Sequence, residues 1–349
     1  MISISTRGGT ATLGRRAGTH PGACVRFLAA LLALCLASLS FAAAPKSVKL
    51  EHNVYAMGTE YTMDLYGPNT TALAGAAEQA SEEVKRIDQL ISNYLPDSEL
   101  SKVNREAYDH AVFVSPELFA LLQQCQAYSR QSEGSFDITV GPLMKVWGFY
   151  KGTGRLPHRA EIRTALNEIG YQNVELDPAR HTVRFKRAGM SLDPGGVGKG
   201  YAVDKMTAIL KSNGVTSGLV SGGGSSIYGI GTPPDDPRGW YVRIRDPKNE
   251  QKTAAEIYLK DNSVSTSGNY EKFFFAEGKL YSHIMDPRTG YPSEGMLSVS
   301  VIAPRTLDSE IWAKPYYILG REWTIRHKPK DFRVLMCEDK AGAACAWLP

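Results

Sequence analysis

Five cysteines in 349 residues are too few for a disulfide scaffold, and no second cysteine or histidine pair stands near Cys337 and Cys345, so a structural zinc site is not expected. There is no G-x-S-x-G, and the serines of the Gly222–Ser226 turn have no identifiable base in the sequence, which argues against a serine hydrolase. Internal repeats, low-complexity tracts and obvious linkers are missing as well. Excess charge is missing once the first 44 residues are set aside. They take Arg7, Arg15, Arg16 and Arg26 and no acids from 40 basic residues, leaving 36 basic against 36 acidic. A neutral body gives no electrostatic case for nucleic acid.

Those first 44 residues read as an export signal. Arg15, Arg16 and Arg26 precede an apolar run from Phe27 to about Ala44 that ends in small residues, and Pro45 favours cleavage after Ala42 over Ala44. The run is short and leads into polar sequence, so a membrane anchor is not expected. Leu34 before Cys35 argues against lipid attachment, and the residues after Arg15 and Arg16 do not continue a twin-arginine pattern. A periplasmic protein of about 300 residues is therefore expected, as one large α/β domain over 45–349 or two interwoven halves with a sizeable core.

Hydrophobic spacing predicts a strand over 59–66 and a helix with Leu73, Ala76, Ala80, Val84, Ile87 and Ile91 on one face. Ser115 and Pro116 open a second helix that stops at Gly134 and buries Cys125 as a structural thiol. A short hairpin is expected over 174–185 and a helix over 202–210, then strands over 219–230, 240–245, 256–259, 270–275, 280–285 and 297–302. A helix over 309–319 and a strand over 332–336 close the chain. This mixed order predicts an α+β fold with a largely antiparallel sheet flanked by helices. Cys337 and Cys345 flank a turn-forming segment and can face each other across a hairpin.

The most informative segment is MSLDPGGVGKGYAVD, Met190 to Asp204: a strand end breaks into a carboxylate, a proline and glycines, then a helix with Lys199 in its first turn. Gly195, Gly196, Gly198 and Gly200 let backbone approach a ligand, and the helix start offers amide donors at a positive dipole end. Lys199 adds a point charge, so the turn suits phosphate. It is not a P-loop, because Asp193 and Gly200 stand where a glycine and a Ser or Thr are required, and its glycines have the wrong spacing for G-x-G-x-x-G. A tight strand-to-helix turn explains the glycines equally well. Gly134 to Asp137 reads as a helix C-cap, and Gly222 to Ser226 as a bend more readily than a ligand contact. His283 opens HIMDPRTG at a strand end, where an imidazole can accept a proton near neutral pH.

Seven blocks in one order carry a resemblance: MGTEYTMDLYG at Met57, SNYLPDSELSKVN at Ser92, GSFDITVGPLMKVWGF at Gly134, LDPGGVGKGYAVDKM at Leu192, WYVRIRDP at Trp240, SVSTSGNYEKFF at Ser263 and HIMDPRTGYP at His283. From Met57 to about Gly320 the chain resembles the FAD:protein FMN transferase (ApbE) family. The resemblance implies an ApbE-like, T-fold-related architecture and an envelope enzyme that moves FMN from FAD to a threonine or serine hydroxyl of a partner flavoprotein, releasing AMP. Membrane association would come only through a membrane-bound acceptor. It implies FAD contacts from Met57, Tyr94, Ser135, Phe136, Asp137, Asp193, Lys199 and Ile284, with His283 as the general base. The acceptor motif, an acidic residue followed by S/T-G-A-T/S, does not occur in this chain, so self-modification is not expected.

The family's magnesium ion would take a carbonyl of the glycine turn, here Gly196, and the Asp and Thr of a D-x-x-x-T helix. Alignment on Ile318–Leu319–Gly320 puts Glu310 in place of the Asp and Lys314 in place of the Thr, and an ammonium cannot ligate a cation. Two versions follow: a displaced magnesium site using Asp308 or Glu310, or Lys314 itself supplying the positive charge. A protein that binds or hydrolyses FAD without transfer is the alternative function.

Overall fold

A computed structural model describes residues 47–150, 152–340 and 345–349. The export segment, 1–44, lies outside them. Eight strands form the central sheet: β1 (Val48–Ala56), β2 (Thr59–Gly67), β3 (Ser217–Gly222), β4 (Ser226–Ile230), β5 (Asn262–Gly268), β6 (Met296–Ala303), β7 (Arg333–Glu338) and β8 (Ala346–Trp347). They lie side by side in chain order, and every neighbouring pair is antiparallel. The fold is thus a meander into which longer segments are inserted, the α+β arrangement that the element order predicts.

The insertions cover the two faces. Between β2 and β3 run six helices and a small three-stranded sheet: α1 (Thr70–Ile91), α2 (Glu99–Glu106), α3 (Pro116–Gln131), α4 (Gly141–Val146), α5 (Arg159–Asn167) and α6 (Gly198–Ser212). α7 (Thr306–His327) follows β6. The apolar faces of α1, α6 and α7 pack with Met63, Leu65, Val220, Val299, Val301, Val334 and Met336 in the main core. Alternate residues Ile302 and Leu335 point the other way, where a two-stranded ribbon, Trp240–Asp246 and Asn249–Leu259, contributes Trp240, Ile244, Ile257 and Leu259. β6 is covered on both faces, and all eight of its residues are buried. Among the described residues no helix is long and apolar enough to cross a membrane.

Most predicted elements form near their expected bounds. α1 buries Leu73, Ala76, Ala80, Val84, Ile87 and Ile91 as its spacing requires, each large aliphatic contributing about 1.5–3 kcal/mol. Ser115 caps α3 by accepting from the Leu118 amide, Cys125 is buried and free, and Cys337 and Cys345 form a disulfide.

Five expectations change. α3 stops at Gln131, because Ser132 caps it and Glu133 and Gly134 both take positive φ. Ser191 makes only an isolated parallel bridge to Val140, so the glycine turn follows a loop rather than a strand. The strand expected over 280–285 ends at Ser282 and resumes at Met285, leaving His283 and Ile284 between two short ladders. The strand expected over 270–275 spans only Phe273–Ala276. α7 starts three residues early and continues past Gly320, whose φ of 77° and ψ of −175° break it into two successive helices.

Candidate functional site

One cleft of about 390 Å³ opens where the β1–β2 turn, the start of α6, the β3–β4 turn, α7 and the His283 loop converge. Asp193 starts its floor. Its Oδ1 accepts from the Gly195 amide at 2.8 Å and its Oδ2 from Asn93 Nδ2 at 3.1 Å, while burial raises its pKa against the pull of those donors. Pro194–Gly196 makes a single 3-10 turn and α6 begins at Gly198. Not all the amides of this turn are free for a ligand, since the Gly200 N–H donates to Glu310 Oε2 at 2.5 Å. Only glycine fits there: a Cβ at 200 would stand 2.6 Å from the Thr306 carbonyl oxygen and 2.9 Å from Glu310 Oε2.

Glu310 is a buried carboxylate of the site, 2 % exposed. Its Oε1 has no hydrogen-bond partner, and Lys199 Nζ stands 3.4 Å from it. One turn further along α7, Lys314 Nζ donates to the Glu310 carbonyl at 2.9 Å. The Lys314 stem lies against the glycine turn, so that a Cβ at Gly196 would be 3.0 Å from its Cε. Burial lowers the Lys314 pKa to about 8, with Glu310 opposing and Lys199 adding to the shift. Lys272 is the third lysine lining the cleft.

His283 is half-buried and lines the same cleft. The Lys272 carbonyl accepts from the His283 amide at 3.0 Å and lies 3.1 Å from Nδ1. A carbonyl can only accept, so Nδ1 carries the proton and Nε2 keeps its lone pair. Desolvation lowers the pKa to about 4; the Lys272 carbonyl opposes this, and Lys314, Lys199 and Lys272 add to it. The imidazole is therefore neutral near pH 7 and competent to take a proton.

Flat and apolar surfaces complete the walls. Tyr94 stacks on Tyr150 with centroids 5.0 Å apart and planes 7° from parallel, and remains 52 % exposed at the rim, a platform for a planar ring. The Phe136 ring also approaches Gly196, 3.6 Å from where a Cβ would stand. The side chains on either side of it are committed elsewhere. Ser135 Oγ donates to the Ser132 carbonyl, and Asp137 accepts from Thr139 and from the Tyr171 amide. Met57 sits at φ 53° in the β1–β2 turn, a conformation that costs about 1 kcal/mol or more and is held by its amide bond to Asp88 Oδ2 at 3.0 Å.

All the site residues expected from the sequence line this cleft except Asp308. Asp308 is a correction. Its carboxylate is held by Arg305 at 2.8 Å and by the Tyr128 hydroxyl, away from the glycine turn. Two residues from Glu310, it lies about 200° around the helix. The sequence reading missed Lys272, Asp88 and the strand Ser265–Gly268, all of which line the cleft. Lys272 lies in the segment that starts at Ser263, and nothing in its local sequence assigns it a role. Asp88 is a polar position on an amphipathic helix, and nothing local distinguishes it. The Gly222–Ser226 bend and the Gly134–Asp137 cap prove to be both structural and part of the wall.

The residues present do not fit a divalent cation at the family position. Glu310 is a single carboxylate already bonded to an amide and facing Lys199, and Lys314 brings an ammonium where an oxygen ligand is needed. Among the described residues no three His, Cys, Asp or Glu side chains gather to hold a metal.

A sequence model of the ApbE family matches residues 57–335. A Treponema pallidum FAD:protein FMN transferase is 33 % identical over 281 residues, covering 76 % of this chain and 77 % of that protein. A Klebsiella pneumoniae protein of the same name is 33 % identical over 270 residues, covering 76 % and 81 %. Among solved structures, the ApbE protein of Thermotoga maritima superposes with a TM-score of 0.77 at 30 % identity, covering 87 % of this chain and 97 % of its own. The Pseudomonas stutzeri flavinyl transferase ApbE gives 0.75 at 26 %, covering 86 % and 95 %. With a family match over most of its length and relatives a third identical, this chain belongs to the ApbE family.

Proposed function

We propose that this protein transfers FMN from FAD to a threonine or serine hydroxyl of a partner flavoprotein, releasing AMP. The observation that carries the reading is the cleft itself, which unites a glycine turn with Lys199, two further lysines, a stacked tyrosine pair and a neutral imidazole. In this reading the diphosphate of FAD lies between the turn and the lysines, and Tyr94 covers a ring. His283 Nε2 takes the hydroxyl proton as the acceptor oxygen bonds to the FMN phosphorus. The bond from that phosphorus to the bridging oxygen breaks, and AMP leaves with the electron pair. The lysines stabilise the negative charge that develops on the phosphoryl oxygens.

Export to the periplasm belongs to the same proposal. It is supported by the basic then apolar leader of residues 15–44 and by the Cys337–Cys345 disulfide, which suits an oxidising compartment. The direct test is mass spectrometry of an acceptor carrying the acidic-S/T-G-A-T/S motif after incubation with the protein and FAD. A covalent FMN increment is expected, and His283→Ala should lower its rate of formation roughly a hundredfold to ten-thousandfold. An increment that forms as fast with the variant removes His283 from its role, and no increment with free AMP and FMN accumulating identifies a hydrolase instead.

A further inference from the structure

The misfit at the family metal position is specific in its chemistry. Lys314 does not simply delete a ligand; it brings a cation to the same wall of the cleft. Its stem lies on the Cα of Gly196 and its ammonium donates one of three N–H groups to the Glu310 carbonyl at 2.9 Å. Among the described residues it forms no ion pair with a carboxylate, so two donors remain for a ligand in the cleft. Glu310 meanwhile has left the role of metal ligand. One oxygen takes the Gly200 amide at 2.5 Å and the other faces Lys199 Nζ at 3.4 Å, so that it fixes the start of α6 against α7 and orients Lys199. Lys199, Lys272 and Lys314 all line the cleft that holds His283; with Lys199 facing Glu310, Lys272 and Lys314 leave two charges to match the two negative charges of a dinucleotide's diphosphate.

We propose that Lys314 takes the place of the divalent ion, giving a flavin transferase whose diphosphate is neutralised by a built-in ammonium and which works without added metal. This rests on the transferase reading above. Lys314 contacts the diphosphate directly through its two remaining donors and stabilises the charge that builds up on the phosphoryl oxygens as the bond to AMP breaks. A tethered cation at fixed position needs no reorganisation and no free metal in the compartment.

The test compares the protein in EDTA with the protein in Mg²⁺, reading FAD affinity by fluorescence quenching and FMN transfer by acceptor mass. The wild-type FAD Kd and transfer rate should agree within about twofold between the two buffers. Calorimetric titration of the FAD-loaded protein with MgCl₂ should give no stoichiometric binding. Lys314→Met, similar in length and uncharged, should weaken FAD binding roughly tenfold to a hundredfold in both buffers, the effect of losing a charge-assisted contact, with its fold checked by circular dichroism. Wild-type affinity and transfer that collapse in EDTA and return with Mg²⁺ overturn the inference while leaving the transferase intact. Failure to bind FAD in either buffer overturns both.

Discussion

The His283 imidazole offers a sharp prediction because its environment sets both its tautomer and its charge. Desolvation, with three lysines adding to it, holds its pKa near 4, well below the ordinary 6.5. At pH 5.5 a histidine of pKa 4 is about 97 % neutral, whereas one of pKa 6.5 is about 9 % neutral. If His283 accepts the hydroxyl proton, kcat/KM for flavin transfer should be nearly flat from pH 7.5 to 5.5 and should fall only toward pH 4; an unshifted base would lose about tenfold over the same interval. Bound FAD brings diphosphate anions to the imidazole and raises its pKa, so the acid limb in kcat should lie above that in kcat/KM. The assay is AMP release at saturating and limiting FAD, with the histidine ring resonance followed by NMR in the free protein. The same shift links to stability. The folded pKa is depressed, so the unfolded chain binds the extra proton, and stability present above pH 6.5 declines as pH falls from 6.5 toward 4. After discounting for partial exposure the loss is about 1–3 kcal/mol, and His283→Gln should remove it. An acid limb centred at 6.5 in kcat/KM, with a ring resonance titrating at the same pH, would refute the reasoning.

Two further perturbations test the packing and the rim of the cleft. Gly200→Ala would drive a methyl to 2.6 Å from the Thr306 carbonyl and disturb the amide bond to Glu310, at a cost of about 3–5 kcal/mol in urea denaturation. Gly75→Ala, in the open interior of α1, should instead be neutral or stabilise by up to about 1 kcal/mol, and equal effects at the two positions would contradict the close approach of α6 to α7. Tyr94→Ala should weaken FAD binding by roughly threefold to tenfold through loss of a stacking face, measured by fluorescence quenching; an unchanged Kd would remove Tyr94 from the binding surface.

Sequence alone determined the local elements and the chemistry available to them. The 3.6-residue spacing of α1, the Ser115–Pro116 start of α3 and the Gly–Lys turn are local patterns whose physics lies within a few residues, and they form as expected. The replacement of an oxygen ligand by Lys314 was legible too, because a change of side-chain chemistry at a motif position needs no coordinates. What it meant was decided in three dimensions. Met57, Lys199, His283 and Lys314 meet only because eight strands pair in chain order and return four inserted segments to one end of the sheet. The rotation of α7, which turns Glu310 and Lys314 into the cleft and Asp308 onto Arg305, is fixed by Asp204 of α6 accepting from the amides of Thr306 and Leu307 at 2.7 and 3.0 Å. That cap comes from about a hundred residues away in the chain. A helix's periodicity says which residues share a face, but a long-range contact says where that face points.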